Sequence, residues 1–243
     1  MSPRRQGGPQ PGTPSAQLST LWDYPSQHYG GRQQGSARYA GATPSYVIWE
    51  LLCRYTKPGD FIVDPMCGSG TTLDVAADLG RRARGFDLQP QREDIEWGDA
   101  RELPLPDASV DFFFADPPYS QNLKYSEDER CIGTLSAFDE PYFESLDTVF
   151  FEASRVLKPG HYGAIYICDV HQPKRGFAPI GTRCLALLLQ YFEPIDHVCV
   201  VRHNKSLKDP RYRRGAEEGG FFLRGFNHLL IFRAPSASAN RAG

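Results

Sequence analysis

The stretch Phe61-Ile-Val-Asp64-Pro-Met-Cys-Gly-Ser-Gly-Thr-Thr72 joins a short apolar strand pattern to a glycine-containing turn and the start of a helix. Gly68 and Gly70 allow the backbone to turn tightly and to approach a ligand with no Cβ in the way. The helix that follows is expected over 71–79, and its first turn offers free backbone N–H groups to an anion such as a carboxylate. The stretch therefore predicts a strand, a ligand-binding turn and a helix in that order.

Strand patterns alternate with helix patterns on both sides of this stretch, from residue 43 to residue 233. Such alternation favours an α/β fold with parallel strands joined by crossover helices. Thr43-Pro44 is typical of a helix start and predicts a helix that reaches Cys53. Further helices are expected over 71–79, 142–157 and 185–191, the second of them stopped by Lys158-Pro-Gly160. Strands are expected over 61–63, 83–87, 95–99, 110–115, 163–169, 197–202 and 228–233, the last two as an antiparallel hairpin.

Length and composition suit one globular domain. The chain has 243 residues, of which 40% are hydrophobic, and a formal net charge of −2. The low net charge excludes a basic surface over the whole molecule, so any surface for nucleic acid has to be local. We expect a flexible, irregular N-terminal arm over 1–42 that packs on the domain or orders over a ligand, the domain itself over 43–235, and a disordered tail over 236–243.

The six cysteines are scattered along the chain, with no Cys-x-x-Cys pair. Cys168 and Cys199 lie inside apolar runs, which is typical of small core residues in a reducing compartment rather than of disulfides or a zinc site. No metal is expected. The sequence has neither the apolar run of a signal peptide nor a transmembrane run, and it predicts a cytoplasmic protein with no membrane partner.

A second strand pattern, over 110–115, is followed by Asp116-Pro-Pro-Tyr119. An exocyclic nitrogen of a nucleobase is a poor nucleophile, because its lone pair is delocalised into the ring. Asp116 can accept one of its N–H groups, and a main-chain carbonyl of the Pro117-Pro118 turn can accept the other, which favours a pyramidal nitrogen. The prolines hold these carbonyls rigidly, since proline fixes φ. Acceptors preorganised around developing positive charge stabilise a transition state, and Tyr119 can stack on the base.

Together, the turns at 64–72 and 116–119 resemble those of the S-adenosylmethionine-dependent DNA amino-methyltransferases, which methylate adenine N6 or cytosine N4. The strands and helices over 43–233 are similar to their Rossmann-like, seven-stranded class I methyltransferase sheet. The resemblance implies S-adenosylmethionine as the cofactor, with Asp64 toward its ammonium group, Asp87 toward its ribose and Asp99 toward its adenine amino group. It also implies flipping of the base from a duplex. The cofactor-binding residues expected on these grounds are Thr43, Asp64, Cys67, Gly68, Gly70, Thr71, Asp87 and Asp99.

Other motifs fit less well. The dinucleotide fingerprint Gly-x-Gly-x-x-Gly fails because Leu73 stands where its third glycine should be, and the phosphate-binding loop fails because the chain has no Gly-Lys pair. Methylation at cytosine C5 needs a cysteine nucleophile, normally after a proline, and no Pro-Cys pair occurs. Plain structural roles stay open for each motif: a tight turn at 68–70, solvated strand ends at Asp87 and Asp99, and a Pro-Pro turn after a strand.

The segment 202–214 has six Lys and Arg side chains with an interleaved Tyr212. A basic loop of this kind suits contact with nucleic-acid phosphates, and a solvated loop is the alternative. The sequence favours DNA over RNA, because no appended RNA-binding domain is visible, and adenine over cytosine, because the motif begins with Asp. Methylation of guanine N2 in tRNA, a noncatalytic module that binds nucleic acid and cofactor, and a homodimer stay open. The candidate substrate-binding residues are Asn122, Lys124, Lys205, Arg211 and Arg213.

Overall fold

The computed structural model describes residues 14–36, 38–39, 41–122, 126, 128–204 and 207–236. The helices are α1 (Ser45–Tyr55), α2 (Thr71–Asp78), α3 (Glu140–Val156), α4 (Ile180–Leu188) and α5 (Pro210–Gly219). The strands are β1 (Leu21–Trp22), β2 (Phe61–Asp64), β3 (Arg82–Asp87), β4 (Ile95–Trp97), β5 (Val110–Ala115), β6 (Leu157–Ile167), β7 (Val170–Gln172), β8 (Gly176–Ala178), β9 (Glu193–Val201) and β10 (Phe226–Arg233).

The main sheet has the strand order β1-β9-β10-β6-β5-β2-β3-β4. Strands β2 to β6 are parallel to one another, whereas β10 is antiparallel to both β6 and β9. The seven expected strands are all present, and the expected antiparallel pair is β9 with β10, joined through α5. The fold is therefore α/β and class I methyltransferase-like, as predicted. The short strand β1, parallel to β9, is an addition that the sequence patterns did not predict.

Strand β5 is buried along its whole length, because helices cover both faces of the sheet. Phe113 and Ala115 pack into the core that includes α3. Phe112 and Phe114 pack into the core that includes α1, as the alternation of side chains along a strand requires. Burial on both faces explains why this strand is almost entirely apolar. The polar turn that follows at Asp116 therefore begins at the rim of the sheet.

Several element boundaries differ from the sequence-based expectation. Helix α3 ends at Val156 and β6 begins at Leu157, so Lys158-Pro-Gly160 belongs to the strand rather than to a separate turn. The N–H of Gly160 donates to the carbonyl of Ala234, which follows β10. Pairing with the chain after β10 outweighs the turn preference of this tripeptide. Helix α4 likewise begins at Ile180, earlier than expected.

Part of the N-terminal arm is packed on the domain. Trp22, Tyr24 and Tyr29 are buried, and the rings of Tyr24 and Tyr46 stack with their centroids 4.9 Å apart. The folded unit thus includes arm residues that precede α1. The division of the chain at residues 42 and 235 stays a prediction, and residues 1–13 and 237–243 lie outside the described part of the chain.

Across the described ranges, no helix has the length and apolar character that a membrane crossing requires. The same ranges hold no group of three or more His, Cys, Asp or Glu side chains arranged to bind a metal ion. The six cysteines are free thiols, and Cys67, Cys131, Cys168 and Cys184 are buried.

Candidate active site

Three acidic residues meet where neighbouring parallel strands end. Asp64 and Asp87 are the last residues of β2 and β3, and Asp116 directly follows β5, which lies next to β2. Ligands bind beyond the carboxyl ends of the strands in open sheets of this kind. Two adjoining clefts open at this place, so the sheet itself brings the three carboxylates to one site.

The larger cleft encloses about 550 Å³, open to solvent, and its lining includes Met66, Asp87, Leu88, Asp99, Asp116 and Ile132. The smaller cleft encloses about 310 Å³, and its lining includes Thr43, Asp64, Cys67, Gly68, Thr71 and Thr72. Tyr39, Met66 and Asp116 line both clefts. All the residues expected to bind the cofactor line one of the two clefts, except Gly70, which lies at the N-cap of α2.

The glycine turn has the backbone conformation for which glycine is suited. Gly68 has φ +45° and Gly70 has φ +78°, both in the left-handed region. The N–H of Gly68 donates to Oδ2 of Asp87 at 2.9 Å, which ties the turn after β2 to the end of β3. A Cβ on Gly68 would lie 2.6 Å from the ring of Tyr39, so the arm touches the turn through this side chain. Residues other than glycine would therefore be strained at these two positions, and the ring of Tyr39 covers Gly68 closely.

Asp64 is buried at the floor of the smaller cleft. Its Oδ2 accepts from the Thr72 hydroxyl at 2.5 Å, and its Oδ1 accepts from the N–H of Met66 at 3.1 Å. Burial raises the pKa of Asp64 to about 7, although these hydrogen bonds act in the opposite direction. A nearby cation would stabilise the ionised carboxylate, so the site suits a ligand with an ammonium group.

Asp87 and Asp99 face the larger cleft with different surroundings. Oδ1 of Asp87 accepts from the N–H of Gln89 at 2.8 Å. Asp99 accepts from the Arg101 guanidinium at 2.7 and 2.9 Å. Burial pushes the pKa of Asp99 up, but the hydrogen bonds from Arg101 outweigh it and the pKa is lowered. Both side chains are therefore placed to accept hydrogen bonds from a ligand that lies against the apolar lining.

Asp116 is held by hydroxyl groups on both of its carboxylate oxygens. Thr43 donates to Oδ2 at 2.5 Å, and Tyr119 donates to Oδ1 at 2.6 Å. Burial raises the pKa of Asp116 to about 7, against the lowering effect of these two hydrogen bonds. The carboxylate is therefore fixed in position and poised to change protonation near neutral pH. The role of Tyr119 in stacking on a base stays a prediction.

The two proline carbonyls of the turn are not equivalent. The carbonyl of Pro118 accepts from the Tyr142 hydroxyl at 2.8 Å and from the N–H of Ser120 at 3.1 Å. A carbonyl oxygen has two lone pairs, so these bonds use both. The carbonyl of Pro117 is the better candidate for a ligand. Ser120 has φ +62°, and its hydroxyl accepts from the N–H of Ala137, which holds the turn in its unusual conformation.

Only some of the predicted substrate-binding residues lie within the described part of the chain. Lys124 and Lys205 lie outside the described residues. Asn122 ends a single-turn 3₁₀ helix, and nothing further is described of it. Arg211 and Arg213 were expected on a loop, but they lie in helix α5.

Helix α5 has clear start and stop signals in the sequence. The many basic residues around them had instead suggested a loop. The side chain of Asp209 accepts from the N–H of Arg211 and caps the helix, Pro210 is in the first turn, and Gly220 ends it with φ +64°. The basic side chains therefore project from a helix. Sequence reasoning also missed Met66, Arg130 and Ile132 as lining of the larger cleft. Met66 lies within the stretch 61–72, whereas no motif signals Arg130 or Ile132, which tertiary packing brings to the cleft.

Comparison with known proteins finds similarity to DNA methyltransferases over part of the chain. A model of the family described as DNA methylase matches residues 9–96. The Type II methyltransferase M2.DpnII of Streptococcus pneumoniae is 37% identical over 59 residues, which are 24% of this chain and 22% of that protein. The Type II methyltransferase M2.LlaDCHI of Lactococcus lactis subsp. cremoris is 36% identical over 79 residues, 31% of this chain and 27% of that protein. The chain thus spans about a quarter of the length of these curated relatives.

A solved structure of an S-adenosylmethionine-dependent methyltransferase from Methanosarcina mazei is similar in fold, with a TM-score of 0.50 and 16% identity over 76% of this chain and 97% of that one. At this identity the likeness concerns the fold alone. The fold is class I methyltransferase-like. Over residues 9–96 the chain is similar to the DNA methylase family, and it is similar in part to Type II methyltransferases, which agrees with the resemblance predicted from the turn at 64–72. The family match ends before β5, so the Asp116 turn lies beyond it.

Proposed function

We propose that this protein binds S-adenosylmethionine in the two adjoining clefts and transfers its methyl group to an exocyclic amino group of a DNA base. The observation on which this proposal rests most heavily is Asp116, a carboxylate held by two hydroxyl groups that lines both clefts. The side chains that line the two clefts match the chemical groups of this cofactor. The smaller cleft offers the carboxylate of Asp64 for an ammonium group, and the larger one offers Asp87 and Asp99 beside apolar side chains for a ribose and an adenine.

S-adenosylmethionine, when bound, supplies a methyl group on a positively charged sulfur. The chain's own residues prepare the nucleophile. The Asp116 carboxylate accepts one N–H of the base amine, and the Pro117 carbonyl accepts the other, so that the nitrogen lone pair turns out of the ring plane. Thr43 and Tyr119 keep the carboxylate in this orientation. The nitrogen becomes positive as it gains the methyl group, and Asp116 is placed both to stabilise that charge and to take the proton that leaves.

DNA is favoured as the substrate because the curated relatives are named Type II methyltransferases and the matching family is described as DNA methylase. Adenine N6 is favoured over cytosine N4, because the turn begins with Asp116 in the manner that resembles the adenine enzymes. The exposed side chains of Arg211 and Arg213 on α5 supply positive charge for the phosphates. The aromatic ring of Tyr119, at the end of the turn, supports the extruded base by stacking.

The test is incubation with radiolabelled S-adenosylmethionine and either unmethylated genomic DNA or tRNA, followed by nucleoside mass spectrometry. We expect N6-methyladenine in the DNA. Asp116→Ala should keep its affinity for the cofactor while its turnover falls about 10²-fold or more, the scale for loss of one preorganised electrostatic partner. The matched control is Asp196→Ala, which removes an exposed carboxylate from β9.

Each other product would contradict a stated part of the proposal. N4-methylcytosine would overturn the choice of base, N2-methylguanine in tRNA would overturn the choice of DNA, and 5-methylcytosine would overturn the mechanism. Cofactor binding without methyl transfer to either nucleic acid would show a noncatalytic module. Full activity in Asp116→Ala would remove Asp116 from the chemistry.

A further inference from the structure

A third cavity lies beneath the N-terminal arm, beyond the two clefts assigned to the cofactor. It encloses about 960 Å³. One wall is formed by residues 24–27, 41, 42 and 44, which precede α1, and the other by the sheet and the chain that follows β9. The lining side chains on which the inference depends are Tyr24, Tyr166, Arg202 and Asn227.

This cavity lies on the side of Asp116 away from the cofactor clefts. Ala115 of β5 pairs with Ile165 of β6, so Asp116 and Tyr166 are the next residues along two neighbouring parallel strands. The larger and smaller clefts lie instead toward β2, β3 and β4. The charge of Asp116 adds to the effect of burial in raising the pKa of Tyr166, which reflects how close the two side chains are. Asp116, which lines the cofactor clefts, is therefore next to Tyr166, which lines this cavity.

Two buried polar atoms of the cavity wall lack a hydrogen-bond partner. Oη of Tyr24 and Oδ1 of Asn227 accept or donate no hydrogen bond within the described part of the chain. Each residue is only 7% exposed. The side chain of Asn227 hydrogen-bonds to Tyr166, which fixes its amide in place. Buried polar groups are nearly always paired in folded proteins, so these atoms are suited to a polar ligand in the cavity.

The unpaired atoms have complementary hydrogen-bonding character. Burial raises the pKa of Tyr24, so its phenol stays protonated and can donate. Oδ1 of Asn227 is an acceptor. A nucleobase presents both ring acceptors and N–H donors along its edges, and an aromatic wall such as that of Tyr24 and Tyr166 suits its planar faces.

Arg202 adds a positive charge to the same cavity. Its Nη1 donates to Sγ of the buried Cys168 at 2.8 Å. None of the described carboxylates forms an ion pair with it. The neighbouring His203, by contrast, is paired with Asp23 of the arm at 2.6 Å. A guanidinium beside a thiol keeps further N–H groups for a phosphate oxygen.

We propose that this cavity receives the extruded nucleotide, with Tyr24 and Asn227 binding the base edge and Arg202 binding its phosphate. The inference rests on the proposed methyl transfer to a base, and it assigns the N-terminal arm a part in substrate recognition. The base enters from the arm side and presents its amine to Asp116, while the cofactor reaches Asp116 from the opposite side.

The first test uses methylation kinetics on unmethylated genomic DNA. Tyr24→Phe removes only the unpaired hydroxyl, and Asn227→Ala removes the amide. Each is expected to raise KM for DNA about tenfold, the effect of losing one buried hydrogen bond to a ligand, with the Kd for S-adenosylmethionine unchanged. The matched control is Tyr29→Phe, which removes a hydroxyl from the same arm outside the cavity, where it is bonded to Asp78. A wild-type KM in both Tyr24→Phe and Asn227→Ala would overturn the proposal.

The second test does not depend on turnover. The protein is saturated with S-adenosylhomocysteine and titrated by calorimetry with 2′-deoxyadenosine, 2′-deoxycytidine and their 5′-monophosphates. The monophosphates should bind more tightly than the nucleosides, and Arg202→Ala should abolish that difference. Asn227→Ala should weaken binding of nucleosides and nucleotides alike. If the wild-type protein transfers no methyl group to DNA, the proposed function fails, and this titration still decides the cavity: binding that is unaffected by both variants would place the nucleotide elsewhere.

Discussion

The hydroxyl of Thr43 donates to Oδ2 of Asp116 across 2.5 Å, which joins the segment before α1 to the rim of β5. Thr43 was expected among the residues that bind the cofactor, and it does line the smaller cleft. Its bond to Asp116 indicates a second task, since a carboxylate tied at one oxygen cannot rotate freely. The segment before α1 and the Asp116 turn are thus linked by this hydrogen bond.

Replacing Thr43 should therefore affect turnover. Thr43→Val keeps the shape of the side chain but removes the donor, and turnover is expected to fall about tenfold, the effect of losing one hydrogen bond to a charged group. Because this hydrogen bond lowers the pKa of Asp116, its loss should also move the pH profile to higher pH. Single-turnover rates with labelled S-adenosylmethionine between pH 6 and pH 9 measure both effects. Thr43→Ser keeps the donor and should stay near the wild-type rate; equal rates in Thr43→Val and wild type would exclude the positioning role.

Asp116 should also make stability depend on pH. Its pKa is raised from 3.8 to about 7 by burial, so between these values the folded state binds more protons than the unfolded state. The free energy of unfolding contributed by this group therefore falls as pH rises from about 4 to about 7, and stays low above that. Asp116→Asn removes the buried charge. Thermal unfolding at pH 8 should show this variant melting higher than wild type by roughly 5 °C, with a smaller difference at pH 5. A difference that does not change with pH would mean that the carboxyl keeps its ordinary pKa.

The turn at Gly68 should not tolerate a side chain. Gly68→Ala places a Cβ 2.6 Å from the Tyr39 ring at φ +45°, so the backbone is strained and Tyr39 is pushed into the clefts. The Kd for S-adenosylmethionine is expected to rise at least about tenfold, because the cost of such strain is on the order of 1–3 kcal/mol. Calorimetry measures the affinity directly. Gly59→Ala is the control, since Gly59 has φ +88° with open space around it. The control should lose stability and keep its affinity; a normal affinity in Gly68→Ala would exclude the turn from the site.

The basic face of α5 should contribute to DNA affinity and to its salt dependence. Reversing Arg211 and Arg213 to Glu removes two expected phosphate contacts, each of which contributes about 0.9 to the slope of log K against log salt. The slope should fall by roughly 2, measured by fluorescence anisotropy on a labelled duplex. The control reverses Lys57 and Arg82, exposed residues near the amino ends of β2 and β3, with the same change in net charge. An equal loss in both pairs would show a general charge effect instead of a binding helix.

The parts of the fold and site that could be predicted are those set by local pattern. The run of apolar residues from Val110 to Ala115 defines a strand buried on both faces, and the residue after such a strand has to lie at the rim of the sheet. The same reasoning applies to Asp64 and Asp87. Since parallel strands end at one edge, the sequence predicts these carboxylates and Asp116 at the same edge of the sheet. The strand order β5-β2-β3, which brings them together, comes from the structure.

Other features depend on contacts between distant parts of the chain. Leu21 and Trp22 form a strand only because β9 is there to pair with them. Tyr24 and Asn227 line one cavity although they lie near opposite ends of the chain, and no periodicity links them. The case of Asp209-Pro210 is different. The helix start was visible in the sequence, but the density of basic residues after it favoured a loop that contacts phosphates.

The margins of the main sheet are short, with two residues in β1 and three in β4. An exposed edge strand offers its backbone N–H and C=O groups to a second molecule, and long flat edges promote aggregation. Without β1, the nine residues of β9 would form the margin. The arm covers Cys199 and Val200 of that strand, while the uncovered part includes Pro194, which has no N–H to donate, and the charged Asp196. The two-residue strand thus occupies part of an edge to which a second molecule could otherwise pair.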